Sequence, residues 1–430
     1  MSGIGDFVST IQELRKQVFD KEMKDDVPRA SDVATMFMSK GRKIDLGGLG
    51  LNCKLAIRNA TGAIAGALTE GGAYPSPGFQ SGITPVMTCT HAVAAVGWTG
   101  HVIAMGSSEK ASFDQMTEIK RSLSDLKEKM KRTIARFLMW SGTAVLGTTA
   151  AASGTTGGYF TLASGACPIN FFEAGDIVTL RNATSGGTEL LTNAATGAGR
   201  ILQILDDLAT PRVILTDATG ATAGGGDTIA WANFYDTTVI EGLRSMVLNS
   251  GTFMGLARAT GANAAMRALL IDAGGASVQP NDPDRLRDKV WERAHLKGEY
   301  NLKWICNPRT RRSFVETTRG MVRWASLEKQ ELGTTTLNVN DKDGSKELMT
   351  DSYLIDGELF VIDPSKLLYG CPEGMEGAQV AENAAGSPVF QLMDASYVYD
   401  KFRSYATWRG QYGLEECHSS GKFYNFTPGT

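Results

Sequence analysis

Two adjacent side chains near the end of the sequence could bind a metal. Cys417 and His418 carry a thiol and an imidazole, both of which are zinc ligands in proteins. A zinc site needs further ligands at a characteristic spacing, but the other histidines, His91, His101 and His295, are scattered along the chain. The sequence therefore predicts no zinc site.

Three aspartates form a second pattern that could hold a cation. Asp282, Asp284 and Asp288 lie within two turns of a predicted helix. Acidic residues also favour a helix start because they complement the helix dipole. The order Asp282-Pro283 is typical of a cap followed by proline, so we favour the helix-start interpretation over a metal triplet.

Four arginines could together bind an anion. Arg309, Arg311, Arg312 and Arg319 follow the helix-opening pair Asn307-Pro308. The same residues could instead form a solvated helix face or salt bridges to another subunit, and this is the interpretation we favour.

Catalytic motifs are missing from the sequence. It has no phosphate loop of the Walker type, no GxSxG nucleophile elbow and no HExxH pair. We therefore predict no catalytic residue, no cofactor and no metal.

Composition restricts the class of protein further. The 430 residues are 42% hydrophobic and 21% charged, as in a globular protein with a large core. The net charge of −3 argues against sequence-specific reading of nucleic acid, but leaves a weak, unspecific DNA-facing surface open. Six cysteines lie far apart, which favours reduced, buried thiols over a disulfide framework. Without a signal segment or a long apolar run, we expect the chain to stay in a cytoplasm and to need no membrane.

The element that would position the rest is one long helix, predicted over 107–141. Its apolar residues recur at steps of three or four, and charged residues occupy the opposite face. The apolar stripe is Phe113, Met116, Ile119, Leu123, Leu126, Met130, Ile134 and Phe137. The opposite face is Lys110, Lys120, Arg121, Lys127, Glu128, Lys129, Lys131 and Arg132. The pattern suits either a coiled coil or a spine lying across a β-rich domain, and the flanking sequence favours the spine.

The chain before the helix divides into two parts. Residues 1–43 begin with a short amphipathic helix and continue with mixed charges, which indicates either an arm that binds another surface or a frayed terminus. Residues 44–106 contain strands at 51–57 and 85–105 around a turn with two prolines. Such a long hairpin cannot bury both faces alone, and the remaining chain offers no obvious surface for it.

The chain after the helix alternates between strands and helices. Residues 143–235 are rich in Gly, Thr and Ala, with a Gly-Asp turn before each of two strands, and predict a small barrel or sandwich. Helices are predicted at 240–248, 263–270, 282–298 and from 308, strands at 302–305 and 396–413, and a hairpin at 353–362.

Four short sequence runs, together with the order of elements, are similar to those of a known protein family. They are Phe172-Glu173-Ala174-Gly175-Asp176, Gly225-Gly226-Asp227-Thr228-Ile229, Glu241-Gly242-Leu243-Arg244 and Trp304-Ile305-Cys306-Asn307-Pro308. With the order of elements, they make the chain resemble the major capsid protein of tailed bacteriophages, the Hong Kong 97-type fold.

The resemblance implies an α+β fold with six parts. They are an N-terminal arm (1–43), an extended β-hairpin loop (44–106), the spine helix of a peripheral domain (107–142), an inserted β-barrel-like module (143–235), an axial α+β domain (236–390), and return strands of the peripheral domain with the C-terminus (391–430). The inserted module departs from the minimal fold.

The resemblance also implies a function and partners. The chain would self-assemble as hexameric and pentameric capsomers into an icosahedral shell around double-stranded DNA, held by non-specific contact. It would be built in the host bacterial cytoplasm and reside in the virion. Its partners would be a scaffolding protein, a portal and a candidate decoration protein. The scaffolding protein would be a separate chain, since the arm is short. The implied inter-subunit residues are Phe7, Ile11, Tyr74, Pro75, Pro77, Phe79, Arg309 and Arg312. An encapsulin-type nanocompartment shell and a β-rich enzyme of unknown type stay open as alternatives.

Overall fold

A computed structural model describes much of the chain. The described residues are 33–34, 36–37, 42–45, 52–55, 57–60, 81–99, 113–153, 159–163, 165–181, 199–205, 212–215, 227–231, 240–294, 301–319, 338–341, 344–372, 379–380, 391–392 and 401–427. All of them belong to a single unit, Ser31–Thr430.

The strands and helices have the following bounds. The first strands are β1 (Arg42–Asp45), β2 (Asn52–Lys54), β3 (Ile57–Ala60), β4 (Ser81–Ile83), β5 (Val86–Thr88) and β6 (Thr90–Thr99). The next are β7 (Val145–Ser153), β8 (Tyr159–Leu162), β9 (Ile177–Arg181), β10 (Gly199–Leu205), β11 (Arg212–Leu215) and β12 (Thr228–Trp231). The last are β13 (Thr252–Phe253), β14 (Leu256–Ala257), β15 (Leu269–Asp272), β16 (Lys303–Cys306), β17 (Asn338–Asp341), β18 (Gly344–Thr350), β19 (Leu359–Ile362), β20 (Leu367–Cys371), β21 (Gln379–Val380), β22 (Gln391–Leu392), β23 (Lys401–Leu414) and β24 (Gly421–Tyr424). The helices are α1 (Phe113–Met139), α2 (Leu243–Met246), α3 (Asp282–Ala294) and α4 (Pro308–Arg319).

The long helix α1 is confirmed, and it packs across β6, β21 and β23 as a spine would. Leu126, Met130, Ile134 and Phe137 of the predicted stripe are buried. The helix ends where the chain turns and Gly142 takes a left-handed φ of 74°, a conformation that favours glycine. Residues 107–112 and the side chain of Leu123 lie outside the described residues.

The sheet beneath α1 is organised by β23. This strand pairs with β6 along one edge and with β20, β21 and β22 along the other, while β1 extends the sheet in parallel to β20. Its alternating aromatic residues explain the predicted strand: Trp408 and Tyr412 are buried and stack with ring centroids 6.0 Å apart. The predicted return to the sheet under the helix is confirmed.

Part of the predicted N-terminal arm packs against its own chain. Val33 and Phe37 are buried in the core, and the Phe37 ring meets Tyr412 edge-on at 6.4 Å. Strand β1 then joins the sheet. Within the predicted arm (1–43), the described residues 33–34, 36–37 and 42–43 therefore pack against their own subunit and do not bind another surface.

The predicted hairpin is present, but the residues at its base pack against the rest of the subunit. β2 pairs with β5, and β3 pairs with β4, both antiparallel. Leu55, Ile83 and Met87 are buried, and the Val86 N–H donates to the Met254 carbonyl at 2.8 Å. β6, which we assigned to the hairpin, belongs instead to the sheet under α1. The expectation of an entirely unpartnered hairpin is wrong, because local sequence does not show which distant strands will pair.

The inserted module is a closed barrel in the order β10-β11-β8-β7-β12-β9. The two predicted Gly-Asp turns precede β9 and β12, which pair antiparallel. Gly175 has a φ of 87°, and the carboxylates of Asp176 and Asp227 are both buried. Closing the barrel leaves it with no free sheet edge. The prediction of a small barrel is confirmed.

The remaining strands form a mixed sheet in the order β15-β24-β19-β16-β18-β17. Leu286 and Val290 of α3 and Phe314 of α4 cover one face, together with Trp304 and Phe423 from the sheet itself. As predicted, α3 starts at Asp282-Pro283 and α4 follows Asn307-Pro308.

Three local predictions in this region are wrong or only partly right. The hairpin at 353–362 does not form: β19 pairs with β16 and β24, while Asp351 turns the chain by accepting the Tyr353 N–H at 2.8 Å. The helix at 263–270 is replaced by a 3-10 turn, Gly261–Met266, and by β15, since parallel pairing with β24 outweighs helix propensity. The helix at 240–248 shortens to α2.

Candidate functional site

Most of the predicted inter-subunit residues cannot be placed. Phe7, Ile11, Tyr74, Pro75, Pro77 and Phe79 lie outside the described residues. Their role at an interface stays a prediction.

Arg309 and Arg312 lie on α4, and both side chains are exposed. Asn307 caps this helix: its Oδ1 accepts the Arg309 N–H at 2.8 Å. The Arg309 guanidinium lies 3.3 Å from Asp356, and that of Arg312 lies 2.9 Å from Glu316. These contacts favour a solvated face with local ion pairs over an anion site. A cleft of about 450 Å³ between this helix start and the barrel loop is lined by Arg309, Asp356 and Asn170, among others.

Asp282 and Asp284 lie in the first turn of α3, as acids that favour a helix start do, and Asp288 lies one turn further on. Asp282 accepts the Gln279 N–H at 2.8 Å and lies 3.5 Å from Arg285. Asp288 lies 2.9 Å from Arg287. Across the described ranges, no three His, Cys, Asp or Glu side chains are grouped so that they could hold a metal ion.

The adjacent Cys417 and His418 are held by backbone carbonyls. The Cys417 thiol donates to the Leu414 carbonyl at 3.8 Å, and a ring nitrogen of His418 lies 3.3 Å from the Ala265 carbonyl. Burial raises the pKa of Cys417 to about 11 and that of Cys306 to about 12, so neither is a reactive thiolate at neutral pH. The described cysteines are free thiols, as the spacing predicted.

The strongest polar contacts join α1 to the barrel. The Arg136 guanidinium donates to Asp176 at 2.7 Å and to the Phe171 carbonyl at 2.9 Å, and both charged side chains are almost fully buried. Arg136 also lies over the Trp231 ring, 5.0 Å from its centroid. We call Arg132, Arg136, Glu173 and Asp176 the barrel clamp.

Sequence reasoning misplaced part of this clamp. We assigned Arg132 to the solvent face of α1, but it is buried and donates to Glu173 at 3.1 Å. Arg136 was not singled out at all. The available signal was its position inside the apolar run from Ile134 to Trp140, where a charge must be paired.

A second buried network ties the end of α1 to the mixed sheet. Glu358 accepts from Arg244 of α2 and from Lys422 of β24, each at 3.1 Å. The Arg244 guanidinium lies over Trp140, 4.9 Å from the ring centroid. Burial lowers the pKa of Lys422, and Glu358 opposes that shift. The helix is therefore braced at one end by barrel and sheet together.

Glu241 occupies the turn between these two networks. Its carboxylate accepts from the Ser245 hydroxyl, and its backbone N–H donates to Gln411 Oε1 at 2.8 Å. Burial raises the pKa of Glu241, while Ser245 and Arg258 oppose that shift. The charged form is thus less favourable in the folded than in the unfolded chain.

We expect E241Q to be more stable than the parent at neutral pH. A carboxyl with a raised folded-state pKa stabilises the fold when protonated, so its contribution is lost as pH rises from the ordinary value of about 4.3 through the folded-state pKa. Urea denaturation between acidic and neutral pH should show a flatter pH profile for E241Q. The exposed Glu316→Gln serves as the control, and parallel profiles for E241Q and the parent would contradict the expectation.

The chain is similar to known proteins in structure, but no match is found by sequence. No protein-family model matches the chain, and no curated protein matches it by sequence. A cyanophage A-1(L) capsid subunit matches the structure with a TM-score of 0.52 at 9% identity, over 95% of this chain and 96% of that chain. A subunit of a native GTA particle capsid gives 0.46 at 10% identity, over 95% of each chain. The SrpI encapsulin of Synechococcus elongatus PCC 7942 gives 0.42 at 8% identity, over 96% and 95%.

The match to the cyanophage subunit establishes the fold. The chain has the fold of a bacteriophage capsid subunit, in which several sheets are combined with a few helices. The resemblance to the Hong Kong 97-type capsid fold is thereby confirmed at the level of the fold. No helix in the described part of the chain is long and apolar enough to cross a membrane.

Proposed function

We propose that this chain is the major capsid protein of a tailed bacteriophage, which self-assembles into the icosahedral shell around its double-stranded DNA. The observation that carries the proposal is the match to the cyanophage capsid subunit over 95% of this chain and 96% of that chain. A match that extends over almost all of both chains concerns the arrangement of the whole subunit and not one shared motif.

The braced helix supports a structural role. A subunit of a closed shell contacts several neighbouring copies, so its parts must keep a fixed arrangement relative to one another. The barrel clamp and the Arg244–Glu358–Lys422 network hold α1, the barrel and the mixed sheet together through buried charges. Buried ion pairs of this kind hold one geometry because each partner is costly to leave unpaired.

The hairpin supports an inter-subunit contact. Its base is anchored by Leu55, Ile83 and Met87, while residues 61–80 continue between β3 and β4. A segment of this length could extend and return over at most roughly 33–36 Å. We propose that Tyr74, Pro75, Pro77 and Phe79 then lie on a neighbouring copy, where the prolines lower the entropy lost on docking.

The proposed partners follow from a shell. They are copies of the chain in hexameric and pentameric capsomers, a separate scaffolding protein, a portal, a candidate decoration protein and packaged DNA. A net charge of −3 suits contact with DNA that is weak and not sequence-specific. Assembly would take place in the host bacterial cytoplasm, and the mature protein would reside in the virion. The role is structural and involves no catalysis.

An encapsulin-type nanocompartment shell is the second candidate, because it too would be a closed shell built from copies of one chain. The two proposals differ in content. Purified particles that hold nuclease-protected DNA support the phage shell, whereas particles filled with protein cargo support the compartment.

We expect deletion of residues 71–80 to abolish or weaken shells while the subunit still folds. The deletion stops before β4, so it leaves the buried base of the hairpin intact. Circular dichroism reports the fold, and sedimentation with electron microscopy reports assembly, with the scaffolding protein co-expressed.

The matched control deletes 188–197, a segment of equal length between β9 and β10 of the barrel, and should still assemble. Intact shells of normal stability from the 71–80 deletion would remove the inter-subunit role of the hairpin. A full-length chain that stays monomeric under the same conditions would refute the shell function itself.

A further inference from the structure

The outer edge of the sheet beneath α1 is one long strand. β6 has ten residues and pairs with β23 from Thr90↔Gly410 to Thr99↔Lys401. Among the strands that the structure describes, none pairs with the other edge of β6. With respect to these strands, that edge therefore presents a row of backbone N–H and C=O groups.

This edge lacks the features that usually prevent pairing. The opposite edge, β1, is four residues long with the sequence RKID, and charged side chains of this kind block strand addition. The sequence of β6 is THAVAAVGWT, with no proline, lysine or acidic residue. Its one titratable side chain is His91, whose pKa is lowered by burial and by Arg409, so it is neutral at pH 7.

One face of β6 is open as well. Thr90 and Ala92 point into the core, whereas His91, Val93, Ala95 and Gly97 are exposed. Val93 is 47% exposed, the largest exposure among the large hydrophobic side chains of the described residues. An uncharged edge of this length beside an exposed apolar side chain is a template for another strand.

We propose that β6 pairs antiparallel with β6 of a second copy, across a two-fold axis at Ala95, so that two subunit sheets become continuous. This inference rests on the proposed shell function and names one contact through which the shell subunits meet.

The register follows from the sizes of the side chains. With Ala95 opposite Ala95, Val93 lies opposite Gly97 and Ala94 lies opposite Val96, so each larger residue meets a smaller one. All these pairs join positions of the same face, so the open face continues from one copy to the next. The strand carries no charge to repel its own copy.

The proposed two-fold axis limits each β6 edge to one partner strand. An isologous contact uses the same edge on both subunits and closes after one pairing, so it does not propagate into fibres. A single ladder is small beside the area that a stable dimer needs, about 1,200–2,000 Å² in total. The contact should therefore form within assembled particles, supported by the other contacts of the shell.

A cysteine at position 95 tests the axis directly. In the proposed register the two copies of A95C have Cβ atoms about 4.5–5.5 Å apart, close enough for a disulfide after small adjustment. The matched control is H91C, exposed on the same face of the same strand. Its two copies would be separated by eight residues of strand, roughly 27 Å, and could not join.

Assembled particles of both variants and of the parent are oxidised mildly and run on non-reducing gels. We expect an excess of about tenfold in disulfide-linked dimer for A95C over H91C, since only the former meets the geometric requirement. Adding Val93→Lys to A95C should remove this dimer because a lysine blocks the edge, whereas Val93→Thr should keep it.

Three outcomes overturn the inference. They are shells of A95C without the dimer, equal dimer from H91C, and a dimer unaffected by Val93→Lys. In each case the shells still form, so the proposed function stands while the β6 contact is refuted. A chain that forms no assembly at all refutes both.

Discussion

Replacing Arg136 by methionine is expected to destabilise the subunit by about 3–5 kcal/mol, because it removes the buried cation that pairs with Asp176. Among the described residues, the Asp176 carboxylate would keep only the Glu173 N–H at 2.9 Å and the half-exposed Lys129 at 3.8 Å. The Arg136–Asp176 contact measures 2.7 Å, and both side chains are almost inaccessible to water. The same substitution also removes the donor to the Phe171 carbonyl and the cation above Trp231.

A control substitution distinguishes the loss of a buried ion pair from the loss of an exposed charge. Lys131→Met removes an exposed cation that lies 3.9 Å from Glu128, and should change stability by no more than about 1 kcal/mol. Combining Arg136→Met with Asp176→Asn should recover part of the loss, since the amide carries no charge to desolvate. Urea denaturation at matched m-values measures all three. Equal losses for Arg136→Met and Lys131→Met would mean that the clamp does not hold the barrel.

Gly242→Ala is expected to have the other large effect, at or above the upper end of the roughly 1–3 kcal/mol typical of overpacking. A Cβ at this position would overlap the carbonyl oxygens of Phe137 and Trp140 at the end of α1. Those atoms belong to the backbone and cannot rotate away. The φ of Gly242 is −105°, so the cause is close approach and not a conformation reserved for glycine.

The matched control for this substitution is Gly261→Ala. A Cβ at Gly261 would have no atom within 4 Å, so the change should be nearly neutral. Soluble yield and melting temperature report both variants. If Gly242→Ala melts within a degree or two of the parent, roughly what a few tenths of a kcal/mol produce, the contact between α2 and α1 adjusts more easily than its geometry indicates.

These two sites explain how the inserted barrel becomes part of the subunit. The chain leaves α1 at Gly142, forms the barrel and returns at Gly242 to the same end of the helix. Arg136 fixes the barrel to the last turns of α1, and Gly242 allows α2 to contact that end closely. The barrel is therefore placed by side-chain contacts as well as by its two covalent connections.

Local patterns predicted the elements that depend on near neighbours. The three- and four-residue spacing of Leu126, Met130 and Ile134 predicted α1, because helix geometry alone puts these side chains on one face. Asn307-Pro308 predicted the start of α4, since capping involves atoms a few residues apart. Alternation of aromatic residues predicted β23 for the same kind of reason.

Local patterns failed where a distant partner outweighed them. The local pattern predicts a helix at 263–270, but Leu269–Asp272 form β15, whose partner β24 lies about 150 residues further along the chain. The local pattern predicts a hairpin at 353–362, yet β19 pairs with β16 and β24. Pairing at such distances depends on the whole arrangement of sheets, which a window of local sequence does not contain.

The sequence by itself determined the long helix, four of the six barrel strands (β9, β10, β11 and β12), the absence of familiar catalytic motifs and the order of elements that resembles a phage capsid subunit. Tertiary structure alone decided that residues 33–34 and 36–37 join their own core, that β1 and β6 belong to the sheet under α1, and that Arg132 and Arg136 are buried. The physical reason is that periodicity reports which face of an element is apolar, whereas burial of a charge depends on what packs against it. For Arg136 that is Asp176, which lies forty residues further along the chain, directly before β9 of the barrel, and 2.7 Å away in space.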